Sequence, residues 1–170
     1  MTAFVALLRA VNVGGCKLVM ADLKGLAEGL GLAGAKTFIA SGNLLFTSAD
    51  SEGDVKRALE SALAKHMAKP VGVMVRTAHE MAAVAKANPF ADQPGNKVVA
   101  VFLDDPPPAD SAQLAKNVAD ERMALGRREI YVHYPSGQGE SKLRIPAAAN
   151  GTARNLNTVT KLAELAKEMA

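Results

Sequence analysis

Apolar residues run together from Ala3 to Leu8, where Phe4, Val5, Leu7 and Leu8 leave little polar alternation. That pattern predicts a strand buried on both faces. From Met20 to Gly31 the period changes. Leu23, Leu26, Ala27 and Leu30 recur at helical spacing, and "GLGLAG" supplies a stop. "AKTFIA" and "NLLFTS" then flank Ser41-Gly42, two strand-like runs around a tight turn. Val55, Ala58, Leu59, Ala62 and Leu63 form one stripe of a helix over Asp54 to Ala68. "PVGVMVR" closes the first half as a strand that opens on Pro70, where a missing N–H costs least.

The order β-α-β-β-α-β is the split βαβ arrangement of the ferredoxin-like fold. The fold class expected is therefore α+β, a ferredoxin-like first half over residues 1–77 packed against a smaller α+β half over residues 78–170. In the second half, His79 to Ala87 reads as helix and "KVVAVFLDD" as the strongest strand. Beyond Pro106-Pro107-Pro108 a helix is expected from Ser111 to Ala119, and a hairpin from "RMALG" and "EIYVHYP". Thr152 to Met169 reads as a closing amphipathic helix. From Lys97 the order is β-α-β-β-loop-α, a partial echo of the first half without a residue-level repeat.

Composition narrows the class. A chain of 170 residues, 49% hydrophobic and 22% charged, suits a soluble protein with a core of its own. Cys16 is the single cysteine, so no intrachain disulfide forms, which fits a reducing cytoplasm. No signal peptide or bilayer-length apolar stretch is visible. The net charge of +3 is mild, but its distribution is uneven. From Arg122 to Lys161, seven cations (Arg122, Arg127, Arg128, Lys142, Arg144, Arg154, Lys161) face only Glu129 and Glu140. An anionic partner would be drawn there.

Three stretches carry candidate chemistry. In "ALLRAVNVGGCKLVMADL" a strand enters a glycine turn and leaves as a helix. It is neither a Walker A loop nor G-x-G-x-x-G. Even so, backbone N–H groups around Gly14 and Gly15, a helix N-terminus, Arg9 and Lys17 could hold an anion. Alternatively the glycines only serve the turn. In "GTARNLNTVTKL", Thr152 is a candidate cap. Arg154, Thr158 and Lys161 would share one helical face, suited to phosphate or carboxylate or simply solvated. Asn155 and Asn157 are weak helix formers and call for another role. "PSGQGESK" could form an anion nest or a plain hairpin end.

Other chemistry is poorly supplied. His66, His79 and His133 lack metal-ligand spacing, and no metal or other cofactor is expected. No G-x-S-x-G elbow or nucleophile–base pair is visible. Phe4 and Phe46 alone do not make an RNA-recognition sheet.

"ALLRAVNVGG", "MADLKGLAEGLGL", "TFIASGNLLF" and "TARNLNTVTKL", in that order, resemble a bacterial family known as domain of unknown function 1697. The resemblance implies a two-part α+β fold with a ferredoxin-like first part, and no established activity. The positions it carries over are Arg9, Asn12, Gly14, Gly15, Ser41, Gly42, Asn43, Arg154, Asn155, Thr158 and Lys161. Ala10 stands where the family has Gly, and Leu156 where it has Trp.

The reading drawn from these residues is a polar, cationic cleft. Arg9, Asn12, Gly14, Gly15, Lys17, Ser41, Asn43, Arg154, Asn155, Thr158 and Lys161 would bind a phosphate-bearing or carboxylate ligand, a nucleotide or nucleic acid included. A structural or oligomerisation module is the alternative, and a phosphate-directed enzyme the third.

Overall fold

β1 (Thr2–Leu8) is central to its sheet because both of its faces are apolar. In the computed structural model, which describes residues 1–12 and 15–170, it is followed by α1 (Met20–Gly29), β2 (Ala33–Thr37), β3 (Asn43–Ser48), α2 (Glu52–Met67) and β4 (Val73–Thr77). The sheet order is β2-β3-β1-β4 with every neighbour antiparallel. That is the ferredoxin-like arrangement expected. On one face, Phe4, Ala6 and Leu8 join Leu44, Phe46, Val73 and Val75 against Leu23 and Ala27 of α1 and Val55, Leu59 and Leu63 of α2. Phe4 and Phe46 are directly opposed, their ring centroids 5.7 Å apart. Each such buried side chain contributes about 1.5–3 kcal/mol. The alternate residues Val5, Leu7 and Leu45 are equally buried on the other face.

The chain continues through α3 (Ala78–Lys86), β5 (Val98–Phe102), β6 (Arg122–Leu125), β7 (Glu129–His133), β8 (Thr152–Asn155) and α4 (Leu156–Met169). The second sheet has the order β6-β7-β5-β8, again wholly antiparallel. Strand for strand this is the order of the first sheet. The registers agree as well. Leu7 faces Asn43 as Phe102 faces Glu129, and Val5 faces Arg76 as Ala100 faces Arg154. The N–H of Leu8 bonds the Gly42 carbonyl at 2.9 Å, as Leu103 bonds that of Arg128 at 2.9 Å. What differs is the connections: turns and short 3₁₀ segments stand where the first sheet has α1 and α2. One face of the second sheet, Val99, Val101, Leu103, Ile130, Val132 and Tyr134, is packed by Leu143, Ile145, Ala147 and Ala148 from one of these segments.

By its contacts the chain divides into two compact units, residues 1–82 with 162–170, and residues 83–161.

Three expectations need correction. Residues 111–119 are not helix: 111–114 form turns, Lys116 makes an isolated bridge and the rest is irregular. Lys116 spends its backbone N–H and carbonyl on Arg144, at 2.7 and 2.9 Å, and Asn117 has φ 58°. Thr152–Asn155 is a strand paired with β5, so helix begins only at Leu156 and the second half ends β-β-β-β-α. Alternating burial of Thr152 and Arg154 selects the strand. Finally, β2 stops at Thr37, leaving Ile39 and Ala40 in the turn before β3.

Candidate functional site

Where β1 ends, the backbone leaves ordinary conformations. Arg9 anchors the exit by donating its N–H to the Gly72 carbonyl at 2.9 Å. Ala10 and Asn12 both have φ 57°, and Gly15 has φ 85°. Left-handed conformation costs a residue with a Cβ about 1–2 kcal/mol, least for Asn. Asn12 holds the loop closed. Its side-chain amide donates to the Leu18 carbonyl at 3.1 Å and the Ala40 carbonyl at 2.6 Å, and its oxygen accepts from the Leu18 N–H at 2.9 Å.

The loop is thereby tied to the turn that opens β3. There Ile39, a β-branched residue, has φ 54° and Gly42 has φ 90°. Only glycine fits position 42, since a Cβ would lie 2.6 Å from Val11 Cγ2 and 2.9 Å from Leu8 Cβ. Asn43, buried opposite Leu7, donates to the Phe38 carbonyl at 2.8 Å and to Ser41 Oγ at 3.0 Å. Arg9, Gly15 and Lys17 are exposed around this junction. Gly14 lies outside the described residues.

α1 starts from this loop without a side-chain cap, because Val19 occupies its N-cap. The other α-helices are capped. Ser51 accepts from the Asp54 N–H, and Asn155 from the Thr158 N–H at 2.9 Å. Thr77 and Glu80 form a reciprocal capping box at 3.1 and 2.9 Å. That box is legible as Thr-x-x-Glu, and the reading from sequence passed over it.

The second group of site residues sits at the junction of β8 and α4. Arg154 is on the strand, so it does not share a helical face with Thr158 and Lys161. It is buried, and its Nη1 donates to Thr152 Oγ1 at 2.8 Å and to the Ala153 carbonyl at 2.9 Å. Burial pushes its pKa down to about 10. Asn155, not Thr152, caps the helix, and Lys161 is exposed on it.

Arg154 belongs to a buried polar face that sequence reasoning missed. Glu129, Tyr131 and His133 alternate along β7 onto the side that carries Thr152 and Arg154. The signal was the polar spacing in "EIYVH". Tyr131 donates its hydroxyl to the Val84 carbonyl at 2.7 Å. Desolvation and the nearby Glu129 carboxylate push its pKa up to about 12. His133 Nδ1 is buried without a partner among the described residues.

In "PSGQGESK" the serine hydroxyls face acids. Ser136 donates to Asp120 at 2.6 Å and Ser141 to Glu121, whose carboxyl is held below its usual range chiefly by that hydroxyl. Cys16 is a buried free thiol. Among the described residues no group of His, Cys, Asp and Glu could hold a metal, and no helix is long and apolar enough to cross a membrane.

A family model described as "Protein of unknown function (DUF1697)" matches residues 1–131. The chain belongs to the DUF1697 family. A solved structure similar to it is that of a conserved bacterial protein, SP0830 from Streptococcus pneumoniae. The two are 26% identical with a TM-score of 0.82, over 98% of this chain and 99% of that one. Among curated proteins none matches. In this DUF1697 chain the described positions singled out by resemblance fall at two places. Arg9, Asn12, Gly15, Ser41, Gly42 and Asn43 gather at one end of the first sheet. Arg154, Asn155, Thr158 and Lys161 follow one another across β8 and α4.

Proposed function

We propose that the loop from Arg9 to Val19 binds a phosphate-bearing or carboxylate ligand in the cytoplasm. The observation that carries this reading is the concentration of strained backbone at one exposed junction. Ala10, Asn12 and Ile39 are three of the five non-glycine residues with positive φ among the described residues, and Asn12 ties their segments together. Strain of this kind persists where the surroundings enforce it, and it clusters at binding sites. Exposed Arg9 and Lys17 supply positive charge. The uncapped start of α1 supplies N–H donors and the positive end of a helix dipole.

Thermal unfolding of the full chain with pyrophosphate, nucleotides or short RNA tests this. A ligand at a hundred times its Kd adds about 2.7 kcal/mol, a rise of about 5–10 °C for a chain of this size. Arg9→Ala with Lys17→Ala should remove the rise while leaving the ligand-free midpoint within about 2 °C. No rise with any of these probes, or a rise that survives the double substitution, overturns it.

One observation favours a structural module instead. The amides of Asn12 and Asn43 are engaged within the junction itself. If that reading holds, the same titrations stay flat and the mass in solution exceeds one chain.

A further inference from the structure

The connection between β5 and β6 holds the topological place of α1, yet its sequence is more helical than its structure. Residues 111–120 read Ser-Ala-Gln-Leu-Ala-Lys-Asn-Val-Ala-Asp, rich in the best helix formers, with Leu114 and Val118 spaced i and i+4. One turn does begin, since the Leu114 N–H bonds the Asp110 carbonyl at 3.1 Å. It stops where Lys116 pairs with Arg144 and Asn117 turns left-handed. As a result Leu114 and Val118 stand 55% and 47% exposed.

The neighbouring edge strand has matching apolar surface that is partly exposed. Leu125 is 38% exposed, and Met123 is half-buried. They pair with Val132 and Ile130, so they lie on the face of the second sheet that carries Val99 and Val101. The corresponding side of the first sheet is covered by α1 and α2. The spacings agree: i and i+4 on a helix lie about 6 Å apart, and i and i+2 on a strand about 6.8 Å apart.

We propose that residues 111–119 alternate between this pinned form and a helix docked on β6, with Leu114 and Val118 seated on Met123 and Leu125. The helical form requires the Lys116–Arg144 pair to part. Parting frees the segment around Leu143–Ile145 and widens the hollow of about 390 Å³ that it lines with Val101 and Tyr134. Helix formation and the widening of that hollow are then one event, and a molecule that binds the widened form more tightly draws the segment into helix.

Relaxation-dispersion NMR on the full chain tests this. The wild type should show a minor state with helical carbon shifts confined to residues 111–119. Asn117→Ala removes the residue suited to left-handed backbone and adds helix propensity, and should raise the helical population about tenfold. Leu114→Ser with Val118→Ser in that background should return it to the wild-type level or below. These two residues are exposed in the pinned form, so that form tolerates the change. Unchanged shifts at residues 111–119 in folded Asn117→Ala overturn the proposal, as does a helical gain that survives the serine pair. Should Asn117→Ala fail to fold, the wild type decides alone: without exchange at residues 111–119 the proposal fails.

Discussion

Arg76 and Arg154 occupy the same position in two different sheets. Each stands on the edge strand that follows the second long connection, opposite the central strand at Val5 and Ala100. Each is buried, and each sends Nη1 to the carbonyl of the residue before it, at 3.1 and 2.9 Å. The next residue, Thr77 or Asn155, caps the helix that follows. A strand, a buried arginine, a cap and a helix thus occur twice in one chain. Added to the identical strand order, this supports descent of both halves from one duplicated unit.

Removing either guanidinium strands the groups it bonds in a dry environment. Arg76→Met and Arg154→Met should therefore each lower stability by about 2–4 kcal/mol in urea titrations. Their equivalence predicts costs within about 1 kcal/mol of each other. A neutral Arg154→Met would show that the cost of burying this charge cancels the hydrogen bonds it makes.

The junction between the Arg9–Leu18 loop and the turn before β3 should be fragile in a residue-specific way. Gly42→Ala meets two side chains and a left-handed φ together, and should cost about 2–4 kcal/mol. Asn12→Ala loses three hydrogen bonds and places Ala at φ 57°, a cost of about 2–3 kcal/mol. Ser41→Ala loses the acceptor for Asn43, a single neutral hydrogen bond to that side chain, and should cost less than either, under about 1.5 kcal/mol. Denaturant midpoints for the three variants check the ranking.

Caps give a prediction of opposite signs. Asn155→Ala and Thr77→Ala should destabilise by about 1 kcal/mol each. Val19→Ser should stabilise by about 0.5–1 kcal/mol, because it supplies the oxygen that α1 lacks. Val19 is 62% exposed and loses little burial in the exchange. A stabilised Val19→Ser that no longer responds to anions would tie the absent cap to binding. Calorimetry with and without pyrophosphate measures both.

Legibility followed the strength of local signals. The first sheet could be read because Phe4, Leu44, Leu59 and their neighbours follow clean periods and short turns join them. The segment from Ser111 to Ala119 was misread because its propensity is helical, while the Lys116–Arg144 pairing that overrides it spans 28 residues of sequence. Thr152–Asn155 was read as helix because four residues give too short a period to show alternation before a strongly helical stretch. Asn12 and Asn43 were legible as special positions but not as tethers, since their partners Ala40 and Phe38 are backbone groups without a sequence signature. The buried face of Glu129, Tyr131 and His133 went unseen because polar alternation ordinarily marks the solvated side of a strand.

The alkaline behaviour of Tyr131 tests that buried face. Its pKa rises from 10.0 to about 12 in the folded chain. Between those values the unfolded chain releases the proton while the folded chain keeps it. Folding stability therefore falls as pH climbs through that window and is fully present below it. Tyr131→Phe removes this effect. Near neutral pH the variant should be about 1 kcal/mol less stable, for want of the bond to Val84. Above pH 10 that deficit should shrink and then reverse, because the wild type alone loses stability through this phenol. Urea titrations at a series of alkaline pH values measure the crossing, and tyrosinate absorbance should lag in the folded wild type. Parallel stability curves for the two proteins would show that Tyr131 titrates as an ordinary exposed phenol.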